Sequence, residues 1–529
     1  MIRTTSSKQL TIEAFDWPFD TTLDKNNRWV KLSACIPWDE LAESYYHGLE
    51  ANRGRPLKEA RLVIGAVIIK HKQCLSDEET VQQIRENPYL QYFVGLPGYQ
   101  QAAPFAPSLF VEIRKRMGAK VFDDFEQAII AAHAQKTRSQ PDDKEPPPPQ
   151  ADKTSDSVNV VEGGEDPAAL EASPVTHQGR LIVDATVAEQ AVRFPTDLSL
   201  LNEARAFSEQ IIDHLCAELK VTKKPRTYRQ KARSAYLGIA KQKKPQRKTW
   251  RRGIRQQLQY LRRNLGHIES LLADCPEGRP LPLPGWLLYR YWVIQHVYQQ
   301  QWDMYCKKTH RCDHRIVSIS QPYVRPMVRG KQDKPVEFGA KLSVSLTGEG
   351  LAHVDHLRWD AFHEGLDLVE QVEAYRDRYG YYPERVLADP LYGTRANRNY
   401  LKQRGIRFAG KPLGRPKQVT DTNGEQIKQA KAQRRQEYLQ RIPIEGKFGQ
   451  GKNGYRLNYI RAKRANTSFA WINTIFLVMN LLILERIFFA LSQCRLAGLI
   501  SALARIREHI VLNLRTAFNL SDRRMHYAG

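Results

Sequence analysis

Two short apolar runs, R180-L-I-V-D184 and R385-V-L-A-D389, each end in an aspartate, and between them lies a long stretch that reads mainly as helix. A continuous apolar run of this length, closed by a polar residue, is the pattern of a strand buried on both faces. Such strands need helices over both faces of their sheet, which restricts the chain to an α/β plan with Asp184 and Asp389 at the carboxyl ends of their strands. Placed side by side in one sheet, those strands would bring the two acids together.

The rest of the second half supports that plan. R315-I-V-S-I-S320, F338-G-A-K-L-S-V-S-L346 and L351-A-H-V-D-H-L-R358 read as strands, the last two separated by the turn T347-G-E-G350. An amphipathic helix spans 366–379 and is closed by Gly380; a helix over T394-R-A-N-R-N-Y-L-K-Q-R404 and a short strand I406-R-F-A-G410 follow Asp389. In the N-terminal part, R55-P-L-K-E-A-R-L-V-I-G-A-V-I-I-K70 has apolar residues at helical spacing. Ser76 with Glu79 three residues later then forms a capping box for the next helix.

Charge adds a partner class. The chain carries a formal net charge of +24, and from Leu219 to Ile268 there are seventeen Lys or Arg and no Asp or Glu. So many uncompensated like charges repel one another unless a polyanion neutralises them, which points to nucleic acid, with Arg247, Lys248, Arg251 and Arg252 as phosphate-binding candidates. A solvated charged face is the plain alternative. With 42% hydrophobic residues the chain can bury large cores, which excludes a disordered polycation. Seven scattered cysteines do not form a disulfide framework, and M1-I-R-T-T-S-S-K-Q-L-T-I-E-A-F15 has no apolar stretch of export-signal length, so the expected setting is the cytoplasm. The uncharged stretch S468–L484 is at the short limit of a bilayer span; Asn473, Thr474 and Asn480 within it favour the core helix of a large domain, with no membrane partner.

A third acid has unusual neighbours. Tyr438, Arg441, Glu445 and Lys452 follow one another at intervals of three, four and seven residues, so on an α-helix they would share one face. Pro443 and the glycines at 446, 449 and 451 argue against a straight helix there. Glu445 could join Asp184 and Asp389 in a carboxylate cluster, which is costly to assemble without cations and whose hard oxygen donors suit Mg²⁺ or Mn²⁺. Asp355, Asp360 and Glu364 are rivals of Asp389, but they follow an alternating strand and lack the apolar run that would bury a metal-binding carboxylate.

The spacing Y-x2-R-x3-E-x6-K from Tyr438 to Lys452, with L181-I-V-D-A-T186, F194-P-T-D197 and A388-D-P-L-Y-G-T394, resembles the insertion-sequence transposases with a DDE active site, of the broad IS-four/IS-five group. L75-S-D-E-E79 and Y92-F-V-G-L96 are similar to the helical domain that precedes their catalytic domains. The resemblance implies an RNase H-like catalytic core, a mixed sheet flanked by helices, over 179–197 and 313–490. A basic helical insertion (198–312) would interrupt it. It further implies a separate all-α domain for DNA binding or assembly (1–134), a flexible Pro-rich linker (135–178) and a helical tail (491–529). Asp184, Asp389 and Glu445 would be the catalytic metal ligands, for two ions of Mg²⁺ or Mn²⁺, and Tyr438, Arg441 and Lys452 would contact DNA phosphates. The implied activity is metal-dependent phosphodiester hydrolysis and 3′-OH strand transfer on double-stranded DNA, at element ends and target, by a homodimer or higher assembly at the bacterial nucleoid. An RNase H-like nuclease or resolvase without joining, or a noncatalytic DNA-binding protein, would fit parts of the same sequence.

Overall fold

The computed structural model describes residues 11–16, 22–47, 57–138, 177–275, 280–328, 336–414 and 424–488. The expected linker falls mostly, and the expected C-terminal tail wholly, outside these residues. Among the described residues seven N-terminal helices come first: α1 (Arg28–Cys35), α2 (Trp38–Tyr46), α3 (Ala60–Lys72), α4 (Asp77–Glu86), α5 (Pro88–Phe93), α6 (Leu109–Arg116) and α7 (Ala119–Arg138). The Ser76 capping box is present in full, with Glu79 accepting from the Ser76 N–H and Ser76 from the Glu79 N–H. It opens α4 by satisfying two N–H groups that the first helical turn leaves without partners.

A mixed sheet follows, built from β1 (Arg180–Glu189), β2 (Arg325–Val328), β3 (Val336–Thr347), β4 (Ala352–Arg358), β5 (Arg385–Ala388) and β6 (Arg407–Ala409). The order is β2-β3-β1-β5-β6, with β4 also on β3; β1 is antiparallel to β3 and parallel to β5, and β5 is parallel to β6. Two expectations change here. Residues 315–320 are not a strand: Ile316 and Ile319 are buried in the helical insertion's core, and the first strand after the insertion is β2 instead. Asp184 does not end its strand either, because β3 pairs with β1 as far as Glu189 while β5 stops at Ala388.

Helices cover both faces. Leu181 and Val183 pack with Leu368, Val372 and Tyr375 of α12 (Leu368–Tyr379) and Leu401 of α13 (Arg395–Gln403). Gly380 closes α12 in the left-handed conformation that favours glycine. On the opposite face Ile182, Leu342 and Leu387 meet Ile444 and Phe448 of α14 (Gly424–Gly454) and Ile472, Ile475 and Phe476 of α15 (Ala465–Phe488).

The membrane-length apolar segment is α15, and its apolar window is 83% buried. Ala470, Leu477, Val478, Leu481 and Leu484 point into the core of the N-terminal helices, while Ile472, Ile475, Phe476 and Met479 point into the sheet core. A helix enclosed by protein on both sides needs apolar residues all round, which is why its composition imitates a span. Asn480 is satisfied inside: its amide accepts from the Ala352 N–H and donates to the Ala352 carbonyl.

The basic insertion has its own core. α8 (Asp197–Glu218), α9 (Arg229–Ala240), α10 (Arg247–Ala273) and α11 (Gly285–Lys307) bury Leu201, Ile212, Leu258, Leu261, Ile268 and Ile294 together.

Candidate active site

Strand parity places the first two acids. Ile182 and Leu387 face α14 and α15, so Asp184 and Asp389, two residues on in each case, have the same side. The parallel register pairs Val183 with Ala388, which puts the two aspartates next to each other at the level where β5 ends. β5 then leaves the sheet through a short 3₁₀ turn, Pro390–Tyr392, opened by Asp389. Pro390 fits the first position of such a turn because its missing N–H has no helical partner to lose.

α14 supplies the third acid. Contrary to the sequence expectation the helix runs without interruption from Gly424 to Gly454 with Pro443 inside it. Pro443 and Leu439, whose carbonyl loses its helical partner, are both exposed, so water can satisfy that oxygen. The single-face reading therefore holds. Arg441, Glu445 and Lys452 line one cavity of about 740 Å³ with Asp184 and Asp389. Tyr438, 59% exposed, carries the Arg441 guanidinium 5.6 Å from its ring centroid and lines an adjoining cavity that also includes Asp389 and Arg441.

Arg441 pairs with two of the three acids. Its guanidinium donates to Asp184 Oδ2 at 3.2 Å and to Glu445 Oε1 at 2.6 Å. Burial pushes the Asp184 carboxyl above its ordinary value, and the negative charges of Glu364 and Asp389 add to this against the pull of the Ala185 N–H and Arg441. Lys452 Nζ lies 3.6 Å from Glu337 of β3. Among the described residues no three His, Cys, Asp or Glu side chains are grouped closely enough to hold an ion as they stand. The donor set nevertheless fits a hard divalent cation: the carboxylates face a single cavity, and a guanidinium already sits where positive charge is needed.

The rivals separate clearly. Asp355 is held by Arg378 at 2.6 Å and by Gln371 at 2.9 Å, and the exposed Asp360 meets Arg325 and His314. Glu364, by contrast, lines the acid cavity. Sequence reasoning set it aside because no apolar strand leads into it. Its position comes from a turn folded against the Asp389 turn, a tertiary arrangement that carries no local signal.

In the insertion, Arg247, Lys248 and Arg252 are exposed on α10, whereas Arg251 donates to the Tyr305 carbonyl at 3.0 Å and stacks on the Tyr305 ring at 4.3 Å. Arg251 therefore joins α10 to α11, and the three exposed cations are the better test of phosphate binding. Changing Arg247, Lys248 and Arg252 together to Gln should weaken binding to all duplex sequences and reduce the slope of log affinity against log salt by roughly 0.9 for every phosphate no longer neutralised. Fluorescence anisotropy across a salt series measures this, and an unchanged slope returns the three to a solvated surface.

Comparison with known proteins gives two family matches. Residues 386–482, which contain Asp389, Glu445 and most of α15, match the family described as Transposase DDE domain, and residues 18–116 match Transposase domain (DUF772). An uncharacterized protein of Rhizobium meliloti, ORF8 in the nfe locus, is 33% identical over 126 residues, which are 24% of this chain and 60% of that protein. The similarity thus covers less than two thirds of that relative's length. No solved structure matches the chain.

Proposed function

Since the chain belongs to the insertion-sequence DDE transposases, we propose that it binds the ends of its mobile element, cuts a phosphodiester there and joins the released 3′-OH to target DNA. The observation that carries this reading is the convergence of Asp184, Asp389, Glu445, Arg441 and Lys452 on one cavity from β1, β5 and α14. The Y-x2-R-x3-E-x6-K spacing supports placement in the IS-four/IS-five group, and the mixed sheet, interrupted by a helical insertion after its first strand, supports an RNase H-like core.

In this reading Asp184, Asp389 and Glu445 hold divalent cations, Mg²⁺ or Mn²⁺. Such ions, when bound, supply an activated water and neutralise charge on the leaving oxygen. Arg441, which pairs with Asp184 and Glu445, carries a planar fork that would grip two oxygens of a neighbouring phosphate. Lys452, at the far end of the same helical face, contributes a point charge. Tyr438 presents a ring and hydroxyl at the mouth of the adjoining cavity, suited to the DNA backbone. The exposed cations of α10 supply affinity without sequence information. The setting is the cytoplasm, with DNA and further copies of the chain as partners.

The test is a joining assay with duplexes carrying the DNA that flanks the coding region, a plasmid target and Mg²⁺. Joined product is the expected result; cleavage alone returns the nuclease reading, and binding without cleavage returns the binder. In the same assay Arg441→Lys, which keeps the charge but loses the fork, should lower single-turnover cleavage on pre-bound DNA by about 10²-fold, because misplacing the reacting phosphate by an ångström has that cost. A rate equal to the unmodified protein would remove Arg441 from phosphate positioning.

A further inference from the structure

We propose that Glu364 is a fourth carboxylate of the active site, facing the same divalent cation as Asp184. The inference rests on the transposase reading and adds a ligand that the family's three-acid pattern does not include.

Glu364 begins a short 3₁₀ turn, Glu364–Leu366, between β4 and α12, and that turn is locked to the one after Asp389. Buried Asn397 donates to the Gly365 carbonyl at 2.7 Å and to the Tyr392 carbonyl at 2.9 Å, which staples the two turns together. Gly365 permits the approach: a Cβ there would lie 2.7 Å from the Leu391 carbonyl oxygen. Glu364 is thereby placed from the same scaffold as Asp389, and both side chains line the acid cavity.

Its surroundings ask for a cation. Among the described residues the cation on it is Lys341 of β3, whose Nζ is 3.2 Å from Glu364 Oε2 and 2.8 Å from the Phe362 carbonyl. Tyr392, which ends the turn after Asp389, is fully buried, and its hydroxyl has no hydrogen-bond partner among the described residues. The charges of Glu364 and Asp184 add to burial in holding that phenol well above its ordinary value. A buried hydroxyl left without an acceptor costs about 1–3 kcal/mol. Lys341, Arg441 and Lys452 line this acid cavity together with Glu364.

Manganese binding to the full chain without DNA, read by electron paramagnetic resonance of free Mn²⁺, tests the proposal apart from activity. Glu364→Gln should weaken Mn²⁺ binding by about tenfold to a hundredfold, the range for removal of groups that support a bound metal. Asp360→Asn, on the same connection but paired with Arg325 and His314, should leave it unchanged. Far-ultraviolet circular dichroism and melting temperature serve as the folding control. If Asp184→Asn loses Mn²⁺ and folded Glu364→Gln does not, Glu364 is not a ligand and the three-acid reading stands. If neither variant loses Mn²⁺, the metal reading of the whole cavity fails. Should Glu364→Gln not fold, Glu364→Asp, shorter by one methylene with its charge retained, must show the loss, and unchanged Mn²⁺ affinity there overturns the proposal.

Discussion

Asp184→Asn, Asp389→Asn and Glu445→Gln are each expected to bind DNA as before and to lose Mg²⁺-dependent cleavage by about 10²- to 10³-fold, the scale on which deleting one preorganised electrostatic group acts. Each change removes a charge at nearly constant volume, and the exposed cations of α10 that would supply affinity are untouched. Stability gives an independent reading for Asp184. Its carboxyl is held above the ordinary value, so the folded chain binds that proton more tightly than the unfolded chain does. The stability this contributes is present at low pH and is lost as pH rises through the interval between the unfolded and folded values. Asp184→Asn removes that slope, and at neutral pH it should melt no lower than the unmodified protein. Gel-shift, cleavage and thermal melting at two pH values together check the expectation; near-normal cleavage by any of the three variants would exclude that residue from the site.

Phe476→Ala is expected to cost about 3–5 kcal/mol, the usual loss for a large aromatic in a closed core. Phe476 is 2% exposed on the sheet side of α15, while its neighbour Leu477 is buried on the side of the N-terminal helices. Because α15 belongs to both cores, loosening it from the sheet should destabilise the N-terminal helices as well. Native-state hydrogen exchange of the α1–α3 amides across a urea series should show the N-terminal core opening at lower urea in step with the circular dichroism transition. If exchange in α1–α3 stayed in place while the rest moved, the two cores would be independent.

Local chemistry made several elements readable before the fold was known. The capping box at Ser76 works within four residues, and Gly380 ends its helix through its own backbone freedom. The parity of R180-L-I-V-D184 and of R385-V-L-A-D389 is a property of any strand, so both aspartates could be expected in one sheet. The helical face of Tyr438, Arg441, Glu445 and Lys452 was equally legible, and Pro443 misled because its cost depends on whether water can reach the carbonyl it frees.

Other features were settled by distant partners. R315-I-V-S-I-S320 has a strand's apolar alternation, yet the helical insertion offers a nearer core and takes its isoleucines. Arg251 looks in sequence like any other cation of the basic run, and the carbonyl and ring of Tyr305 make it a packing residue. The uncharged composition of S468–L484 fixed only that the segment must be surrounded by apolar matter; two protein cores meeting on opposite sides of α15 decided that the matter is not lipid. Glu364 marks the same division at the site itself. By itself the sequence determined the chain's charge, the side of their strands that Asp184 and Asp389 take and the face of α14 that carries Glu445, because each depends on spacing along one element. Only the tertiary structure decided that Glu364 joins them, because its place is set by Asn397 bridging two turns that the chain's order keeps apart.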